Sequence, residues 1–164
     1  MRNEIELVKP DRKITRAEFA AIIVRTLGLK PGTGKVSFED VKDTDWYSSY
    51  VKTAAEYKLI SGYGNGKFGP NDRVNREQAM AMVARAMELT NLKVELQDGE
   101  LKTYLNSYAD ADKAALYARE SIAVCIRAGI VTGRAGKLIA PKEHITRAEI
   151  AVIVRNLLQK SDLI

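Results

Sequence analysis

The sequence predicts an all-α chain built from helix-loop-helix repeats, and three observations predict it. Thr15-Arg16-Ala17-Glu18 recurs as Thr146-Arg147-Ala148-Glu149, with a variant, Asn75-Arg76-Glu77-Gln78, between them. Each copy stands five residues after a proline (Pro10, Pro70, Pro141) and directly after a β-branched aliphatic (Ile14, Val74, Ile145). Each also opens the same apolar stripe: Phe19, Ile22, Ile23 and Leu27, then Ala79, Met82, Val83 and Met87, then Ile150, Ile153, Val154 and Leu158. Positions i, i+3, i+4 and i+8 lie on one helix face, which needs something to pack against. One such unit cannot bury its stripe alone, so repetition implies units stacked on each other.

The elements follow in order. The first unit, residues 1–36, holds a motif helix, but only fourteen residues precede Thr15, too few for another helix and its lead. That unit reads as incomplete. In the second unit, residues 37–92, Phe38-Glu39-Asp40-Val41 leads into a helix headed by Trp46 and carrying Val51, Ala54, Ala55 and Leu59. In the third, residues 93–164, Tyr108-Ala109-Asp110-Ala111 leads into a matching helix headed by Tyr117 and carrying Ile122, Cys125, Ile126 and Ile130. Gly62 and Gly133 stand at equivalent places after these helices and read as their stops. The loop Gly62-Tyr63-Gly64-Asn65-Gly66-Lys67-Phe68-Gly69 is turn-forming, and its aromatics suit a short extended pair. An insertion near residues 93–106 accounts for the motif spacing growing from sixty residues to seventy-one.

Most of the motif is explained by helix capping. In Thr-x-x-Glu the N-cap hydroxyl accepts from the N3 backbone N–H, and the N3 carboxylate reaches back to the N-cap N–H. Asn75 and Gln78 are chemically apt replacements. Arginine is left over. At the first helical position a cation faces the positive end of the helix dipole, a mildly unfavourable place, yet Arg16, Arg76 and Arg147 all hold it. Two readings stand: an anion site beside free helix N–H groups, or a salt bridge to a neighbouring unit.

Composition narrows the class. Apolar residues make up 46% and charged residues 29%, the balance of a globular chain, and the formal net charge is +5 with pI near 9.3. That surplus suits an anionic partner, although 26 basic and 21 acidic residues are interleaved without a long basic run. No stretch has the roughly 18–20 apolar residues of a membrane helix, so no membrane insertion is expected. Met1 is followed by Arg2-Asn3-Glu4, with no leader-like apolar run. Cys125 is the lone cysteine, aligned with Ala54 of the preceding unit, and reads as a buried structural thiol. His144 aligns with Lys13 and Arg73 and reads as a surface residue. Asp40, Asp43 and Asp45 lack EF-hand spacing, and the glycine loop lacks a P-loop ending. No metal, cofactor or catalytic set is expected. Trp46 and Tyr117 suit sugar stacking, but an aromatic heading an amphipathic helix more often joins the core.

Taken together, the Thr-Arg-Ala-Glu motif, the Phe-x-Asp-Val lead, Trp46, the Ser61-Gly62 step and Phe68-Gly69-Pro70 resemble S-layer homology domains. The resemblance runs from Pro10 to Leu158. It implies three repeats arranged with pseudo-threefold symmetry around a central helical bundle. It further implies a noncatalytic extracellular module at the bacterial cell wall, binding a secondary cell wall polysaccharide that carries pyruvylated N-acetylmannosamine. In that family the sugar sits in grooves between repeats and the motif arginine meets its charge. By position, Arg16, Arg76 and Arg147 become anion contacts. Gly62 and Gly133 give close backbone approach, with Ser61 and Thr132 beside them. Asp40 and Trp46 line one groove, Asp110 and Tyr117 the next. Two grooves are expected: Arg16 with the second unit and Arg76 with the third. Self-association that completes the first repeat is a further expectation.

Other classes make different demands. A protein–protein assembly module of a surface layer would hold its arginines buried in inter-repeat ion pairs, without glycan affinity. Nucleic-acid binding would need a continuous basic face rather than isolated helix-start arginines, and is not expected. An enzyme would need an acid–base or nucleophile set that the sequence lacks.

Overall fold

The computed structural model describes residues 9–32 and 34–164. Its helices are α1 (Arg16–Thr26), α2 (Ser48–Glu56), α3 (Arg76–Glu88), α4 (Glu100–Asn106), α5 (Leu116–Arg127) and α6 (Arg147–Lys160), with a 3₁₀ turn at Ala111–Lys113. No β-strand occurs among the described residues. The chain is all-α, as its periodicity predicts. The incomplete front of the first unit falls largely on residues 1–8, outside the described residues.

Helices α1, α3 and α6 are the three motif helices, and each starts with a complete capping box. Asn75 and Gln78 close the box in α3 as Thr and Glu do elsewhere. Helices α2 and α5 are the preceding helices of the second and third units; α2 packs on α1, and α5 packs on α3. The insertion contributes α4, which packs on α5. Leu105 is its buried contact.

Two expectations need correction. Helices α2 and α5 stop at Glu56 and Arg127, well short of Gly62 and Gly133. Their left-handed terminating residues are Lys58 (φ 58°) and Gly129 (φ 71°). In each, the following N–H folds back: Leu59 donates to the Ala54 carbonyl and Ile130 to that of Cys125. A left-handed lysine is unusual, and a helix stop there carries no glycine signal. Trp46 and Tyr117 also lie outside the core, at 59% and 61% exposure.

The segments entering α1, α3 and α6 hydrogen-bond to one another in a closed ring. Arg16 N–H donates to Asp72 O and Ala17 N–H to Pro70 O; Arg76 N–H donates to Glu143 O and Glu77 N–H to Pro141 O. Arg147 N–H donates to Arg12 O and Ala148 N–H to Pro10 O, returning to the first unit. Each helix start thus spends orphan donors on the proline segment of the next unit, a use that capping leaves open. At the centre, Ile14, Val74 and Ile145 are at most 1% exposed. One apolar cluster joins Phe19 and Ile23 to Leu59, Met87, Ile122 and Leu157. Cys125 lies inside it, fully buried, and burial pushes its thiol up to about 12.

Candidate functional site

Between the first and second units, Arg16 leaves the start of α1 and enters the loop after α2. Its Nε donates to Phe68 O at 2.8 Å and its Nη2 to Ser61 O at 2.7 Å. The guanidinium lies 4.7 Å from the ring centres of both Tyr63 and Phe68. The residue is 8% exposed, and burial lowers the guanidinium's pKa. Two of five N–H donors are used on carbonyls; among the described residues none meets a carboxylate within ion-pair distance, although Asp72 and Asp40 lie close enough to favour the charge. The groove is about 220 Å³, lined by Arg16, Ser61, Gly62, Tyr63, Gln78, Arg85 and Tyr117 with Ala81 and Met82 as its floor.

The aromatic-x-Asp lead braces that loop. Asp40 accepts from the N–H groups of Phe68 and Gly69, both at 2.8 Å, and so sets the Phe68 carbonyl that holds Arg16. Burial pushes the Asp40 carboxyl upward, yet those two N–H groups, together with its own N–H and the Lys67 charge, outweigh it and leave it below its ordinary value. Phe38 lies against Gly62, where an added Cβ would stand 2.7 Å from its ring and from Lys67 O. The third unit repeats the device. Asp110 accepts from Ile139 and Ala140, and Tyr108 lies 2.6 Å from a Cβ built on Gly133. The glycines are required by internal packing.

The second groove has the same frame and a different filling. Arg76, 3% exposed, donates from Nε to Ile139 O at 2.7 Å, as Arg16 does to Phe68. Its Nη1 is paired with Glu149 of α6. Arg134, which follows Gly133 as Tyr63 follows Gly62, donates to the same carboxylate at 2.8 Å and pairs with Glu143. Burial and the neighbouring Arg134 lower the Arg76 guanidinium to about 10, still cationic at neutral pH. This groove, about 260 Å³, is lined by Arg76, Thr132, Gly133, Glu149 and aliphatic side chains.

Arg147, the third motif arginine, is exposed at the start of α6 beside an apolar depression with Lys9 and Pro10. The structure therefore brings Arg16, Ser61, Gly62 and Tyr117 together, and Arg76, Thr132 and Gly133 together. It places Tyr117 beside Arg16 rather than with Asp110, because α5 packs on α3 across the first groove. Asp40 and Asp110 work as loop braces behind the two grooves. Trp46 packs edge-on to Tyr47 with Tyr50 nearby, and Tyr50 carries the Arg25 guanidinium. Of the other acids near Asp40, Asp43 pairs with Lys52 and Asp45 caps Lys42 N–H.

Tyr63, Gln78, Arg85, Arg134 and Glu149 are groove residues not singled out from sequence as such. A signal existed for two of them: Gln78 and Arg85, at i and i+7 on α3, share a helix face. Tyr63 and Arg134 occupy one repeat position, directly after the loop glycine.

Comparison with known proteins decides what the repeated units are. Residues 37–80 and 107–151, together more than half the chain, match the S-layer homology domain. The chain belongs to the S-layer homology family. It is 36% identical over 153 residues, 93% of its length, to the amylopullulanase of Thermoanaerobacterium thermosulfurigenes, covering 8% of that protein. It is 29% identical over 161 residues to the cellulosome-anchoring protein of Acetivibrio thermocellus, covering 96% of this chain and 34% of that one. To the surface-layer 125 kDa protein of Lysinibacillus sphaericus it is 28% identical over 156 residues, 93% of this chain and 12% of the relative. The chain thus spans a small part of the relatives it matches, and the enzyme names belong to proteins that are mostly something else. S-layer homology domains are anchoring modules of cell-surface and cell-wall proteins.

Proposed function

We propose that this chain is a noncatalytic cell-wall anchor that binds an anionic, pyruvylated secondary cell wall polysaccharide in its inter-repeat grooves. One observation carries the reading. Arg16 is buried, held in place by two carbonyls and two aromatic rings, and among the described residues it faces a groove with no carboxylate in its lining, Asp72 and Asp40 acting on it only from beyond ion-pair distance. A buried cation left unpaired costs free energy unless something else compensates it. A sugar bearing a carboxylate supplies that compensation. The aromatic rings of Tyr63 and Tyr117 flank the place where the sugar ring would lie. Pyruvyl ketals carry one carboxylate on a compact ring, a size that suits a groove of about 220 Å³. Membership of an anchoring family supports the reading at the level of the cell wall.

The assembly reading has its own observation, the Arg76–Glu149 pair between the second and third units. It accounts for one arginine and leaves Arg16 unexplained. Calorimetric titration with purified secondary cell wall polymer, with and without its pyruvyl groups, separates the two. Binding that disappears on depyruvylation is expected. Binding to neither would sink the glycan reading, and equal binding to both would sink its pyruvyl-dependent form.

A further inference from the structure

The two grooves share a frame and differ in charge, and one residue position makes most of the difference. In each, the motif arginine of one unit faces the N3 capping residue of the next: Arg16 faces Gln78, and Arg76 faces Glu149. Gln78 is neutral. Arg85 adds a second, exposed cation two turns further along α3, so among the described residues the first groove is lined by two arginines and no carboxylate. In the second groove Arg76 and Arg134 are matched by Glu149 and Glu143, two cations against two anions. Glu149 already takes Nη1 of Arg76 and Nη2 of Arg134. The second groove also has no aromatic residue in its lining, and Arg134 stands at the repeat position of Tyr63.

We infer that the groove between the first and second units is the working anion site. Gln78 leaves Arg16 without an internal counter-charge in the groove lining, while Glu149 is an internal carboxylate that neutralises Arg76 in a groove of similar size. The inference rests on the anionic-glycan reading above and names the residue that decides which groove can accept the ligand. A ligand carboxylate entering the second groove has to displace Glu149 from two arginines, one of them buried, and leave that carboxylate without its partners. Entering the first groove displaces no carboxylate from its lining. The capping box does not dictate the choice between glutamine and glutamate, since Gln78 completes it in α3 as fully as Glu149 does in α6. The position is therefore free to set groove charge.

That freedom makes the test clean, because exchanging the two residues leaves both helix caps intact. The probe is a methyl glycoside of 4,6-pyruvylated N-acetylmannosamine, titrated calorimetrically into the chain and into Gln78→Glu, Glu149→Gln and the double exchange. Thermal unfolding checks that each variant folds. Gln78→Glu is expected to lose one binding event, weakened by about tenfold or more through loss of the free charge-assisted contact. Glu149→Gln is expected to gain one, and the double exchange to bind in the second groove only, shown by sensitivity to Arg76→Lys and not to Arg16→Lys. If the unmodified chain binds and Gln78→Glu binds equally well, this inference is overturned while the glycan reading stands. An unmodified chain that takes up none of the glycoside overturns both.

Discussion

Arg16 and Arg76 begin from one motif and end in different chemistry, and the difference lies in what surrounds the guanidinium. For Arg16 the prediction is direct: Arg16→Ala should weaken binding of the pyruvylated polymer by about ten- to a hundredfold, matching the roughly 1.5–3 kcal/mol of a hydrogen bond to a charged group. Arg16→Lys should recover only part, because an ammonium cannot span the Phe68 and Ser61 carbonyls as a planar fork does. Titration of both variants checks this. Asp40 offers a pH prediction. Its carboxyl ionises below the ordinary value of about 3.9 in the folded chain. The stabilisation is therefore complete above about pH 4 and lost as pH falls through the lower folded value. Denaturant unfolding across pH 2–6 should show an acid limb that shrinks in Asp40→Asn. Arginine's presence at each helix start was legible in the sequence as an excess over what capping requires. Its partner was not, because Gln78 and Glu149 look like interchangeable caps until the neighbouring unit is set beside them.

At the scale of the element, the departures in the middle motif have separate roles. Glu77 is 2% exposed; it accepts from Ala115 N–H at the start of α5 at 2.9 Å and pairs with Lys142. It replaces the alanine of the other copies and ties α3 to the third unit. Glu77→Ala should cost about 1–3 kcal/mol, the penalty for leaving a part-buried N–H unpaired, read from urea unfolding. Thr15→Ala, which opens a capping box without touching a groove partner, should cost about 0.5–2 kcal/mol and leave glycan affinity unchanged. Cys125 in α5 gives a third readout. With its thiol raised to about 12 by burial, it should resist a thiol reagent at pH 8 and react once denaturant is added. Labelling in the folded chain would contradict the packing of α5 on α3. The 3.6-residue stripes made these helices legible, but their ends were less so: a lysine takes the left-handed stop after α2, and sequence rules favour glycine there.

For the whole molecule, the closed ring of backbone hydrogen bonds predicts cooperativity. Each motif segment holds the next, and the apolar cluster draws on all three units. Unfolding should therefore be a single transition. Trp46, the lone tryptophan, reports on the start of α2, while far-ultraviolet dichroism reports on every helix; the two should share one midpoint. Separate midpoints would mean the units unfold independently and the ring is weak.

From the sequence alone came the helices, their caps, the kinship of the three units and the suspicion attached to three arginines. These follow from local physics: side-chain period, capping chemistry and repetition act within a few residues. The tertiary structure decided what each arginine faces. It set Tyr117 across the groove from Arg16, turned Asp40 and Asp110 into braces, and put Glu149 against Arg76 where Gln78 stands beside Arg16. Those outcomes depend on contacts spanning from about thirty residues to more than a hundred, which packing of one unit on the next creates and no local pattern records.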